Sequence, residues 1–154
     1  MVRVVDEGGV FEAPLDAVWA FVGSGDHHSG AHAHRHGRRR RLPGNAGEYS
    51  WEQEFDGRSE RFTMRWRSYH PLGVAYEVLA GPFRGSRFFL YYLPRGGRTA
   101  VTVVGEFVSP RIPERRVAAA VRRFFAKEYA QDRAAIRRDL ARARATARPR
   151  GTPR

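Results

Sequence analysis

Along most of this chain apolar and polar residues alternate. From Glu114 onward the apolar residues instead recur at helical spacing, so the pattern predicts a sheet followed by one long helix. Val2–Phe11 predicts a first strand, with Gly8-Gly9 marking a bulge or bend. Pro14 suits the first position of a short helix, whose Leu15, Val18, Trp19 and Val22 share a face. Gly23-Ser24-Gly25 ends it.

The clearest pattern spans Gly47–Tyr69. Asp56-Gly57 predicts a type I′ turn between two alternating runs. Counting outward from that turn sets Phe55 against Arg58, Trp51 against Phe62 and Tyr49 against Met64. On the other face Glu52 meets Arg61 and Glu48 meets Arg65. One face is then apolar and the other is laced with opposite charges, as a half-buried antiparallel pair requires.

Val74–Ala80, Ser86–Leu93 and Thr99–Val108 predict further strands joined by the turns at His70–Gly73, Gly81–Gly85 and Pro94–Arg98, which makes an antiparallel meander. Pro110 and Pro113 close the sheet. Val117, Val121, Phe124, Phe125, Ile136 and Leu140 form the stripe of an amphipathic helix over Glu114–Arg142, and residues 143–154 read as a basic, disordered tail. Residues 1–142 form one domain on this reading, with no internal repeat.

The opening Val10-Phe11-Glu12-Ala13-Pro14-Leu15-Asp16-Ala17-Val18-Trp19 resembles the strand-to-helix start of the SRPBCC superfamily, which includes START lipid-transfer, polyketide cyclase/aromatase and pollen-allergen-like domains. Gly81–Ser86 and Thr99–Phe107 resemble uncharacterised prokaryotic branches of it, and the resemblance covers roughly Arg3 to Ile136. It implies an α+β helix-grip fold: a curved antiparallel sheet of about six to seven strands around a long C-terminal helix, with two short helices after the first strand and a cavity between sheet and helix. It carries over no shared catalytic residue.

Composition narrows the function. The 154 residues are 42% hydrophobic and 12% aromatic, which suits one globular core. The absence of cysteine excludes disulfides, thiolate metal sites and thiol nucleophiles. Neither a signal-peptide pattern nor an apolar run long enough for a membrane span is present, so a cytoplasmic protein, monomeric or homodimeric, is the expectation. The net charge of +12 comes almost wholly from arginine, with Lys127 the single lysine, and is concentrated in Arg38–Arg41 and the tail. Solvated charge is the plainer reading of that pattern; binding of nucleic acid or an anionic surface through these clusters is the less favoured alternative.

The candidate ligand-binding residues are Tyr49, Trp51, Phe62, Met64, Trp66, Glu77, Phe88, Leu90 and Tyr92 on the sheet, with Val121, Phe124 and Phe125 on the helix. They point to binding or transport of a small hydrophobic molecule such as a lipid, polyketide or aromatic compound. A cyclase or dehydratase activity in the same cavity is the alternative, with Glu77 and His70 as candidate acid/base residues. A four-residue turn at His70–Gly73 sets Glu77 opposite Trp66 on the apolar face. A turn one residue longer or shorter sends Glu77 outward and brings Tyr76 and Val78 inward. His27, His28, His32, His34 and His36 invite a metal reading, since His28, His32 and His36 would stack on a helix and His32, His34 and His36 on a strand. Asp26 is the only carboxylate nearby in sequence and arginines crowd the segment, so no metal or cofactor is expected. Hydrolase, kinase and dehydrogenase fingerprints are absent.

Overall fold

The computed structural model describes residues 1–24, 27, 31, 32 and 34–147. Its strands are β1 (Val2–Phe11), β2 (Arg35–Leu42), β3 (Ala46–Phe55), β4 (Arg58–Tyr69), β5 (Gly73–Ala80), β6 (Arg87–Arg95) and β7 (Arg98–Phe107). Helix α1 (Leu15–Gly23) follows β1, and helix α2 (Glu114–Ala147) follows β7. The seven strands form one antiparallel sheet in the order β1-β7-β6-β5-β4-β3-β2, a meander that the first strand closes from the far side. This is the α+β helix-grip arrangement: a curved sheet whose concave face holds α2. The second of the two short helices expected after β1 lies outside the described residues.

Local chemistry accounts for the register. Asp56 and Gly57 both adopt positive φ, 52° and 74°, as a type I′ turn demands, and the pairs Phe55↔Arg58, Trp51↔Phe62 and Glu48↔Arg65 follow. The β1 bulge falls between Asp6 and Gly9. There a Cβ on Gly8 would stand 1.8 Å from the ring of Tyr129, so only glycine lets helix α2 approach β1 so closely. Among the described residues β2 pairs only with β3, and all its residues but Leu42 are exposed. Its arginines guard that open edge against pairing with another chain, which is why the strand lacks an apolar stripe.

The core lies between the concave face and α2. Phe62 stacks on Trp51 at 5.2 Å and on Phe124 at 5.8 Å; Phe125 meets Phe88 edge-on at 5.2 Å and Phe107 at 6.1 Å. Val117, Val121, Tyr129 and Ile136 continue the buried stripe of the helix. Helix α2 runs to Ala147, so residues 143–147, expected to belong to a disordered tail, are helical. Alanine and arginine are strong helix formers, and an exposed last turn needs no apolar stripe to persist. Among the described residues no helix is long and apolar enough to cross a membrane.

Candidate functional site

Two features converge inside the grip. The first is a cavity of about 500 Å3 between α1 and the β2–β5 half of the sheet. Trp19 and Val22 roof it. Leu42, Ala46, Trp66, Val74 and Tyr76 wall it, and Arg39, Arg41, Asn45, Ser68 and His70 supply polar groups. Trp19 is fixed by donating from Nε1 to the Pro71 carbonyl at 3.1 Å and by packing on His70 at 4.9 Å. The Trp66 ring lies over Gly47, where a Cβ would come within 2.6 Å of it, and the Arg39 guanidinium sits 5.8 Å from its centre. Trp66 Nε1 is buried and has no hydrogen-bond partner among the described residues.

Of the residues expected to bind a ligand, Trp66 lines this cavity. Tyr49, Trp51, Phe62, Met64, Phe88, Tyr92, Val121, Phe124 and Phe125 belong to the packed core beside it, and Leu90 packs against that core. The inward placement of Glu77 is corrected. The connection from β4 to β5 is three residues, Tyr69 pairs with Gly73, and Trp66 therefore opposes Tyr76. That one-residue change turns Tyr76 and Val78 inward and Glu77 outward. Glu77 instead joins a row of ion pairs across five strands on the convex face. Arg40 bonds Glu48 at 2.6 Å, Arg65 reaches Glu48 at 2.9 Å and Glu77 at 3.4 Å, and Arg87 reaches Glu77 at 3.3 Å. Replacing Glu77 with Gln should leave any activity and ligand affinity unchanged and cost less than about 1 kcal/mol of stability, because the pair is exposed. Denaturant melts and ligand titration check this. His70 lies on the wall of this cavity beneath α1.

The second feature is a cluster of buried His27 and His32 with half-buried His34, Glu128 and Asp132. Glu128 and Asp132, one helical turn apart, occupy one face of α2. They point at the segment that enters β2, where His32 and His34 stack on each other at 4.8 Å and His34 stacks on Trp51 at 4.6 Å. His27 packs edge-on against Phe21 at 4.9 Å. The Asp132 carboxylate lies 3.1 Å from both His27 Nε2 and His32 Nε2. On its other side His32 Nδ1 lies 3.0 Å from Glu128 and 2.8 Å from the side-chain Oε1 of Gln131. His34 Nε2 is 3.6 Å from Glu128.

The electrostatics follow from that geometry. Burial alone would lower the pKa of His32, but hydrogen bonds and charge from Asp132 and Glu128 outweigh it and raise the imidazole to about 10. Burial likewise opposes ionisation of Glu128, yet its contacts with His32 and His34 hold the carboxyl down at about 2. Asp132 is held well below the usual carboxylate range, against the effect of burial, by His27 and His32. Burial lowers His34, outweighing Glu128. The hydroxyls of Tyr76 and Tyr92 are pushed up, mainly by burial, and both also feel the charge of Asp132.

Of the two histidine arrangements weighed, the helical one falls partly outside the described residues, and the strand one keeps His32 beside His34 but not His36. His28 lies outside the described residues, and His36, at positive φ next to a bulge in β2, turns out to Glu52 at 3.0 Å. The arginines thought to crowd the histidines are likewise directed elsewhere: Arg35 bonds Ser59, and Arg38–Arg41 lie on the exposed edge. The carboxylates come from α2, about a hundred residues away in sequence. A signal for them was present. The stripe Val117, Val121, Phe124 and Phe125 continues at helical spacing through Glu128 and Asp132 to Ile136, so two acids interrupt an otherwise apolar face.

Comparison with known proteins agrees with this architecture. The Zhui aromatase/cyclase from Streptomyces sp. R1128 superposes with a TM-score of 0.66 at 15% identity, over 99% of this chain and 98% of that one. Ara h 8.0201 gives 0.69 at 11% identity, over 88% and 97%. The 18 kDa protein CC1736 from Caulobacter crescentus gives 0.66 at 23%, over 92% and 99%. No protein-family model and no curated protein sequence matches the chain. The protein is thus a helix-grip protein. Within that class its fold is the one shared by the aromatase/cyclases and Ara h 8.0201, in keeping with the SRPBCC resemblance of its sequence.

Proposed function

We propose that this protein binds a small, largely apolar molecule in the cavity between α1 and the β2–β5 half of the sheet. The observation that carries the reading is the cavity itself. It has a volume of about 500 Å3, within the usual range of ligand sites, and is walled by Trp19, Trp66 and Tyr76. The buried Nε1 of Trp66 offers a hydrogen bond to a carbonyl or hydroxyl oxygen of the ligand. The Trp51–Phe62–Phe124 stack packs within the sheet–helix space expected to hold the cavity, so we place the site beneath α1 instead. A flat aromatic or polyketide-like molecule with at least one oxygen suits walls that include Trp19, Trp66 and Tyr76.

A cyclase or dehydratase reaction in the same cavity is supported by His70 at its wall, with Tyr76 as a second group and without Glu77. The convex face counts against the nucleic-acid reading, since Arg40, Arg65 and Arg87 are committed to Glu48 and Glu77. The test is intrinsic fluorescence of a Trp51→Phe variant titrated with hydroxylated two- and three-ring aromatics. Saturable quenching is expected, and replacement of Trp66 by Phe should weaken binding by the loss of one hydrogen bond, about 1 kcal/mol or some fivefold. A linear, unsaturable response from every compound would count against the site.

A further inference from the structure

We propose that His27, His32 and Asp132 form a binding site for one divalent transition-metal ion of the zinc, iron(II) or cobalt class. The edges of the donor triangle carry the argument. His27 Nε2 and His32 Nε2 are each 3.1 Å from the same oxygen of Asp132 and 3.4 Å from each other. Donors about 2.1 Å from a common ion stand about 3.0 Å apart in octahedral and about 3.4 Å apart in tetrahedral geometry, so these edges match the face of such a coordination shell. All the donor atoms lie within 4.8 Å of one another. Two imidazoles and one carboxylate are the donor set that zinc and iron(II) favour, whereas magnesium and calcium prefer oxygen alone.

The surroundings fit a bound cation. His32 presents Nε2 to the triangle and directs Nδ1 to the Glu128 carboxylate and the side-chain Oε1 of Gln131, the arrangement that fixes a metal-binding imidazole in the correct tautomer. Glu128 and Asp132, each 13% exposed at the side chain, place two negative charges on one turn of α2 beside the triangle. The expectation of no metal rested on a lack of carboxylates near the histidines in sequence; the fold supplies both from α2. Three protein donors leave coordination positions open for water or an oxygen of a bound molecule. The site is independent of the ligand reading: an empty aromatic cavity would not remove it.

The test uses tag-free full-length protein, stripped with chelator and titrated with cobalt(II) and with zinc(II). One equivalent per chain is expected, with cobalt d–d absorption in the visible and a rise in melting temperature on zinc addition. Asp132→Asn and His27→Gln should each weaken zinc binding by more than about tenfold, and Glu128→Gln by about 10–100-fold through His32. His36→Gln, at an exposed histidine outside the cluster, should change nothing. Circular dichroism of each stripped variant confirms folding, and reading His27→Gln beside Asp132→Asn keeps the test decisive if one variant unfolds. Binding well below one equivalent, or binding undiminished in the folded Asp132→Asn or His27→Gln variant, would overturn the assignment.

Discussion

Truncating Phe125 to Ala is expected to cost about 3–5 kcal/mol in denaturant melts, enough to unfold much of a marginally stable domain. Phe125 is 6% exposed and touches Phe88, Phe107, Phe124 and Tyr129, so it joins α2 to both β6 and β7. None of these rings can collapse into the space it leaves without losing a partner, because each is itself held by the sheet or the helix. A loss below about 1 kcal/mol would mean that the helix does not sit in the grip as described. The same change at Leu72, a half-exposed turn residue, should cost far less and serves as the control.

Raising the pH from 6 to 9.5 in the presence of chelator is expected to remove a few kcal/mol of stability. His32 has an ordinary pKa of 6.5 and is raised to about 10 in the fold. A raised basic group stabilises fully below its unfolded value, and that contribution fades as the pH climbs through the folded one. At about 1.4 kcal/mol per unit the interval sets an upper bound near 5 kcal/mol. On the acid side the sign reverses. Glu128, lowered from 4.5 to about 2, stabilises above pH 4.5 and loses that contribution as the pH falls through about 2. The metal-free protein should therefore be most stable between about pH 4.5 and 6.5. Urea melts at pH 6, 8 and 9.5 measure the alkaline limb, and His32→Gln should flatten it. A flat profile in the unaltered protein would show that His32 does not carry its proton against Asp132 and Glu128.

What the sequence made legible was whatever depended on short-range geometry. The Asp56-Gly57 turn has one hairpin register compatible with its flanking alternation, and Trp51, Phe62, Glu48 and Arg65 took the partners that counting gives. The helix stripe was equally plain, because a 3.6-residue period over such a length has no competing reading. Legibility failed where one residue of turn length decides a whole strand: the β4–β5 connection is three residues rather than four, and Glu77 lies outside for that reason alone. It failed again where partners lie far apart in sequence. His32 and Glu128 look unrelated along the chain, and only the docking of α2 against the segment before β2 joins them. β2 was obscure for a third reason, since an edge strand defended by arginine carries no alternating pattern.

The proposed site for a small molecule is the space beneath α1. Native mass spectrometry of the protein, incubated with pooled fatty acids, sterols and aromatic polyketides, tests it most directly when run beside an Ala46→Trp variant whose new ring fills the cavity. The expected result is one bound molecule per chain, drawn from the aromatic, oxygen-bearing compounds, in the unaltered protein and none in the variant. A spectrum with no adduct on either protein, or with equal adducts on both, would contradict the account.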